Sequence, residues 1–268
     1  MFICIGCQYI IPIRDIELMR EQRTKREPVQ SGVRLNKLIA DAGVTSRRGA
    51  DQLIADGRVK INGRVVAELG TRVMPNDRVM VDGKLIGDPE RHVYILMNKP
   101  KDTITTTSDE RGRRTVLDLL NLEERIYPVG RLDRNTTGVL LLTNDGALAN
   151  RLMHPRHGIP RLYNVVLDKP IELRDAKKIA QGVELENGDQ TQRCEVTVDD
   201  RDRAHVRIVL TEGKNREVRR LFEHFGYEVA RLDRKEYAGL TTRGLARGEW
   251  RKLDRKEVGM LRRMVGLE

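Results

Sequence analysis

Residues 128–138 read PVGRLDRNTTG, and one acid, Asp133, stands there between Arg131 and Arg134, just ahead of the apolar run Val139-Leu140-Leu141-Leu142. Nearby positive charge favours the charged form of a carboxyl group, and an ionised, positioned aspartate can serve as a nucleophile. A loop acid that merely pairs with an arginine for local order would read the same way at this point. A second run, EGKNREVRR at 212–220, gathers Lys214, Arg216, Arg219 and Arg220 around Asn215. A glycine-containing strand-to-helix junction exposes main-chain N–H groups beside guanidinium forks, a combination suited to phosphate or carboxylate. A solvated amphipathic helix explains part of that charge, but it does not require Gly-Lys-Asn-Arg ahead of it.

Metal chemistry is not expected. Cys4 and Cys7 form a C-x-x-C, but no second cysteine pair accompanies it, Cys194 is remote, and His154 and His157 are isolated. No cofactor is expected either. Three cysteines are too few for a disulfide scaffold and suit a reducing, cytoplasmic setting.

Lys and Arg total 50 against 40 for Asp and Glu, a net charge of +10. Such an excess favours a polyanionic partner, nucleic acid or an anionic surface, although a well-solvated basic protein would also show it. The apolar start, MFICIGCQYIIPI, precedes its positive charge, whereas a secretory signal carries charge first. No stretch approaches the roughly 20 apolar residues of a membrane span. Residues 1–32 read as a poorly ordered extension, with Met19 as an alternative start.

The elements that must position these groups fall into two domains. In 33–88, Leu35, Leu38, Ile39 and Ala42 recur at helical spacing, Gly43 stops that helix, and Ser46 caps a second carrying Ala50, Leu53 and Ile54. Asn62-Gly63 and Asp82-Gly83 then mark two hairpins. Ten basic residues oppose six acids between 33 and 87. Arg34 and Lys37 lie on the first helix, Arg47 and Arg48 open the second, and Arg58 and Lys60 follow. Cations at a helix N-terminus oppose the macrodipole, so their placement makes sense where phosphates bind.

After a linker at 88–92, residues 93–256 read as a larger domain. Strands are expected over 93–97, 139–143, 162–167, 194–198 and 205–210, and helices over 116–122, 147–153, 174–181 and 217–225. Residues 257–268 read as a tail. Strands and helices without a strict βαβ rhythm predict an α+β fold around a largely antiparallel mixed sheet flanked by helices. Trp250 reads most simply as a core residue.

Two resemblances follow from these residues. Helix, Ser-Arg-Arg, helix, Gly-Arg-Val-Lys-Ile-Asn-Gly resembles the αL-type RNA-binding domain named after a small-subunit ribosomal protein. NKP at 98–100, GRLDRNTTGVLLLTNDGALANRLMHP at 130–155, EGKNREVRR at 212–220 and GEWRKL at 248–253 resemble bacterial ribosomal-RNA pseudouridine synthases of the RsuA/RluB group.

The second resemblance implies a cofactor-free isomerisation of uridine in ribosomal RNA, acting as a monomer. Asp133 corresponds to the attacking aspartate, Arg219 to the arginine that pairs with it, and Tyr163 to the tyrosine that stacks on the base and assists proton removal. Arg131, Lys214, Asn215 and Arg216 join them as substrate-binding residues. The N1 glycosidic bond breaks, the uracil turns and C5 rejoins the ribose. Overall spacing favours a large-subunit target, with small-subunit RNA, or a non-catalytic RNA-binding role on the same scaffold, as alternatives. The chain departs from the group at Arg161, usually Lys, and at Glu217, usually Gln. The second change is expected to add a negative group beside Arg216 and Arg219. Residues 230–237 are also more charged than usual.

Overall fold

A computed structural model describes residues 32–185 and 188–267. The extension expected over 1–32, with Cys4 and Cys7, lies outside the described residues except for Gly32. The described residues divide into two compact units, with the boundary between Glu90 and Arg91.

In the first unit a short strand β1 (Val33–Arg34) leads into helices α1 (Leu35–Asp41) and α2 (Arg47–Ala55). Ser46 caps α2 as expected, its hydroxyl accepting from the Gly49 N–H at 3.0 Å. Strands β2 (Val59–Ile61) and β3 (Arg64–Val65) form the first hairpin; β4 (Arg72–Val73) pairs with β1. Strands β5 (Val79–Val81) and β6 (Lys84–Leu85) form the second hairpin, and the four hairpin strands run in the order β3-β2-β5-β6. Asn62-Gly63 and Asp82-Gly83 take positive φ at both positions, matching the strand twist in two-residue turns. Leu35, Ile39, Ala50, Ile54, Val59, Val73, Val79 and Val81 make the core.

The second unit is built on one large sheet. In chain order its elements are β7 (Tyr94–Lys99), β8 (Tyr127–Pro128), β9 (Thr137–Thr143), α3 (Gly146–Met153), β10 (Arg161–Leu167), α4 (Leu173–Gln181), β11 (Glu195–Val198) and β12 (His205–Leu210). Then follow α5 (Glu217–His224), β13 (Val229–Tyr237), β14 (Leu240–Thr241), β15 (Trp250–Lys252) and α6 (Arg255–Met264). The main strand order is β11-β12-β10-β13-β9-β7-β15, antiparallel throughout except where β13 meets β9 in parallel. The fold is α+β.

Both faces of the sheet are covered, which explains the unbroken apolar run in β9. Side chains alternate between faces along a strand. Ile95, Met97, Leu140 and Leu142 therefore join one core with Ile179 of α4 and Leu221 and Phe222 of α5. Leu96, Val139 and Leu141 join the other, with Leu148 and Leu152 of α3 and Leu261 of α6.

Two expectations need correction and a third is narrowed. The helix expected over 116–122 is a single 3-10 turn, Leu117–Leu119, because Leu120 is already extended. The Asp118 carboxylate accepts from the Thr115 N–H at 2.7 Å, and the Val116 N–H donates to the Ile104 carbonyl at 2.9 Å, so the local backbone bonds are spent otherwise. The residues set apart as a tail, 257–268, include most of α6, whose Leu261 is buried, and Val265, buried just beyond it. An Asp254/Glu257 capping box starts that helix, a sequence signature of an N-terminus. Trp250 packs against the first core but only from its rim, half-buried, since it sits on the edge strand β15 beside Met97.

Candidate active site

Asp133 lies in the loop between β8 and β9, and the chain on either side of it is tied down. Thr105 donates its hydroxyl to the Leu132 carbonyl at 2.8 Å, the Thr136 N–H donates to the Asp133 carbonyl at 3.0 Å, and the Asp102 N–H donates to the Arg134 carbonyl at 2.9 Å. The buried Lys99 ammonium reaches the carbonyls of Asp133 (3.1 Å), Arg134 (3.2 Å) and Thr136 (2.9 Å). Burial pushes Lys99 down to about 8, against the pull of Asp133 and Asp102. At the loop's exit Gly138 has φ +104°, and a Cβ there would stand 2.1 Å from the Arg234 carbonyl oxygen. Glycine is required where β9 and β13 come side by side.

The charged partners of Asp133 are not its neighbours in sequence. Arg134 pairs with Asp102 at 2.5 Å. The groups that meet the Asp133 carboxylate come from the start of α5: Arg219 Nε at 3.8 Å from Oδ2 and Arg216 Nη1 at 4.0 Å. Arg219 is itself held by a 2.7 Å hydrogen bond to the Val229 carbonyl. At 3.8 Å an ion pair acts without a close hydrogen bond, so the carboxylate oxygens stay available to a reacting atom.

Two cavities meet at Asp133. A small pocket of about 70 Å³ is lined by Arg131, Asp133, Tyr163, Lys214, Arg216 and Arg219, among others. A broad cleft of about 780 Å³ runs from Asp133 past Lys101, Arg134, Arg231, Lys235 and Arg247. Tyr163, in β10, is 8% exposed. The structure thus gathers Arg131, Tyr163, Lys214, Arg216 and Arg219 around Asp133. Asn215 lines neither cavity; its carbonyl accepts from Arg220 at 3.4 Å.

Glu217 does line the small pocket with Arg216 and Arg219, but in a buried setting that the sequence did not show. Glu217 is buried, and its Oε2 accepts from the Lys214 N–H at 2.9 Å. Burial first, and the adjoining Glu212 carboxyl second, push Glu217 up to about 7. Arg161 is also buried; it donates to the Glu212 carbonyl at 3.0 Å and lies over the Tyr237 ring at 5.5 Å.

Several residues of the site were not singled out from the sequence. Lys99 was visible only as a lysine closing an otherwise buried strand, within NKP. In the cleft, burial pushes the Asp233 carboxyl up, but hydrogen bonds from Arg247, Lys235 and Thr137 outweigh it and hold the group at about 2. Arg247 and Lys235 lie 2.8 and 2.6 Å from that carboxylate.

In the first unit, Arg34, Arg47, Arg48, Arg58 and Lys60 are exposed and Lys37 is half-buried. Arg58 forms a two-pronged pair with Asp82 at 2.7 and 2.6 Å, and Lys37 pairs with Asp41.

Comparison with known proteins decides what this geometry belongs to. The family model for RNA pseudouridylate synthase matches residues 93–224, and that for the S4 domain matches 33–79. Over 238 residues the chain is 44% identical to the ribosomal large subunit pseudouridine synthase B of Bacillus subtilis (strain 168), covering 87% of this chain and 96% of that one. The chain belongs to the RNA pseudouridylate synthase family. Another relative of this synthase is the dual-specificity RNA pseudouridine synthase RluF of Escherichia coli (strain K12), 39% identical, covering 85% of this chain and 78% of that one. A crystal structure of a pseudouridylate synthase superposes with a TM-score of 0.64 at 28% identity, covering 86% of this chain and all of that one. The synthase is therefore an isomerase that turns uridine into pseudouridine. Among its described residues no helix is long and apolar enough to cross a membrane.

Proposed function

We propose that this synthase modifies a uridine of large-subunit ribosomal RNA, with Asp133 as its nucleophile. The observation that carries the reading is Asp133 itself, a partly exposed carboxylate at the junction of a small pocket and a long basic cleft, 3.8 Å from Arg219. The large-subunit target is supported by the name of the Bacillus subtilis relative.

A uridine inside a stack cannot reach Asp133, so the nucleotide turns out of its helix, at a cost of roughly a few kcal/mol. The cleft cations Lys101, Arg231, Lys235 and Arg247 offset that cost along the backbone, and Tyr163 offers a ring at the base pocket. Asp133 then forms a covalent bond to the nucleotide. The bond from N1 to the ribose breaks with its electron pair left on the uracil, the uracil turns, and C5 bonds to the ribose. The bond to Asp133 breaks again, the C5 proton is removed with help from Tyr163, and N1 takes up a proton. Arg216 and Arg219 keep the carboxylate aimed, and Arg131 and Lys214 line the same pocket. No cofactor or metal enters the reaction.

The S4 domain serves as a handle on the phosphate backbone through Arg34, Lys37, Arg47, Arg48, Arg58 and Lys60, with Asn215 at the outer edge of the catalytic contact. Of these, Arg58 and Lys37 first have to share or leave Asp82 and Asp41. The protein works as a monomer in the cytoplasm. Mapping pseudouridine on both ribosomal RNAs, with and without the gene, tests the assignment. A large-subunit site that disappears with the gene and returns with the wild-type copy supports it; an unchanged large-subunit map refutes it.

A further inference from the structure

The proposed reaction requires Arg216 and Arg219 to stay seated against Asp133, and the chain that seats them contains a contact between two buried acids. Glu212, just beyond β12, is 7% exposed, and Glu217, the first residue of α5, is 4% exposed. Glu212 accepts from the Gln192 N–H at 2.6 Å and lies 3.2 Å from Lys214 Nζ. Glu217 Oε2 accepts from the Lys214 N–H. Glu217 Oε1 is buried with no N–H or O–H donor among the described residues, and the Glu212 carboxyl, which lines the same pocket, acts on Glu217 to raise its pKa.

Two carboxylates repel and have no proton to share, whereas an acid and a carboxylate can hydrogen bond. Between the two acids in sequence lies Arg216, whose φ of 47° is left-handed, a conformation that a non-glycine residue keeps only where its surroundings hold it. The contact from 212 to 217 closes a short loop over that residue and fixes the first turn of α5, from which Arg219 projects.

We propose that Glu217 is a positioning residue: as a neutral acid it donates its proton to Glu212, and this latch seats Arg216 and Arg219 against Asp133. The inference rests on the reading of Asp133 as the nucleophile. When the proton leaves to solvent, two buried carboxylates face each other with Lys214 as the nearest counter-charge. The other groups around them do not take over the bridge. Cys194 is pushed up to about 11 by burial and by both acids, so it stays neutral. The Arg161 guanidinium is committed to the main-chain carbonyls of Ile159, Thr211 and Glu212. Arg131, Asp133, Tyr163, Arg216 and Arg219 face the shared pocket. Since Glu217 titrates at about 7, the latch opens near neutral pH.

The test compares the rate of pseudouridine formation on a ribosomal RNA substrate from about pH 5.5 to about pH 9 in wild type, Glu217→Gln and Glu217→Ala. Wild-type rate is expected to fall several-fold as pH rises through about 7. In Glu217→Gln the amide donates to Glu212 at every pH while its oxygen still accepts from Lys214, so the alkaline fall disappears. Glu217→Ala, lacking a donor, is slow even at low pH. A Glu217→Gln profile that falls in parallel with wild type, or a Glu217→Ala rate equal to wild type below pH 7, overturns the proposal.

Thermal melting gives a second readout that needs no activity. Folded Glu217 binds its proton more tightly than the unfolded chain does, so its contribution to stability declines as pH rises from about 4.5 to about 7 and then levels off. Wild type should lose melting temperature over that interval relative to Glu217→Gln, and an identical pH dependence overturns the latch. The same comparison made in an Asp133→Asn background reads the latch alone. An Asp133→Asn protein that still makes pseudouridine would refute the proposed nucleophile without touching that melting result.

Discussion

The ammonium of Lys99, on a side chain that no solvent reaches, donates to the main-chain carbonyl of Asp133 at 3.1 Å. The same group serves the carbonyls of Pro100, Arg134 and Thr136, at 3.1, 3.2 and 2.9 Å. A single buried charge thus holds the backbone of the Asp133 loop, while Arg219 addresses the Asp133 carboxylate. Positioning and electrostatics are divided between two elements far apart in the chain.

Replacing Lys99 by Met should leave those carbonyls without their donor. A loss of about 2–4 kcal/mol is expected, together with slower catalysis as the loop loosens. Denaturant unfolding measures the first and a pseudouridine assay the second. Unchanged values for both would show that the loop does not need the clamp.

Asp133→Asn should be nearly silent for binding and close to lethal for catalysis. Pseudouridine formation is expected to drop by about 10³-fold or more, since the amide is a poor nucleophile, while RNA affinity stays within roughly threefold. Affinity itself should weaken steeply with salt in both proteins if, as proposed, the cleft cations meet phosphates. Measurable turnover by the variant would remove Asp133 from the nucleophile's role.

Arg219→Ala removes both the ion pair to Asp133 and the bond to the Val229 carbonyl. The rate is expected to fall by about 10²-fold, the usual scale for losing one aimed electrostatic group. The loss should appear in the maximal rate more than in the substrate concentration needed, and single-turnover kinetics would separate the two. An equal loss in Arg134→Ala would mean that sequence neighbours matter as much as the distant arginine. The geometry predicts a much smaller effect there, because Arg134 faces Asp102.

Gly138→Ala should destabilise the second unit by about 2–4 kcal/mol, combining strain at φ +104° with a Cβ 2.1 Å from the Arg234 oxygen. Circular dichroism melts would detect it. A melting temperature equal to wild type would mean that β9 and β13 can separate without cost.

Much of the architecture was readable locally. Ser46 capping α2, the Asn62-Gly63 and Asp82-Gly83 turns and the apolar stretch of β9 each depend on residues within a few positions of one another. The turn at 117–119 and helix α6 were misread for the opposite reason. Thr115, Asp118 and Val116 spend their bonds outside a helix, and Leu261 acquires its meaning only against α3 across the second core. Glu217 shows the same limit: its charge reads as a surface feature until Glu212 is seen beside it.

The sequence by itself determined which groups the candidate site has to work with: one acid, Asp133, in a run of turn-forming and basic residues, and a basic stretch at 212–220 suited to phosphate. Only the tertiary structure decided which cations serve that acid. Arg134, one residue away, turns to Asp102, whereas Arg219, 86 residues later, stands at 3.8 Å. The physical reason lies in the sheet. Consecutive side chains in a chain point in different directions, and placing β13 parallel beside β9 brings α5 to the mouth of the Asp133 loop.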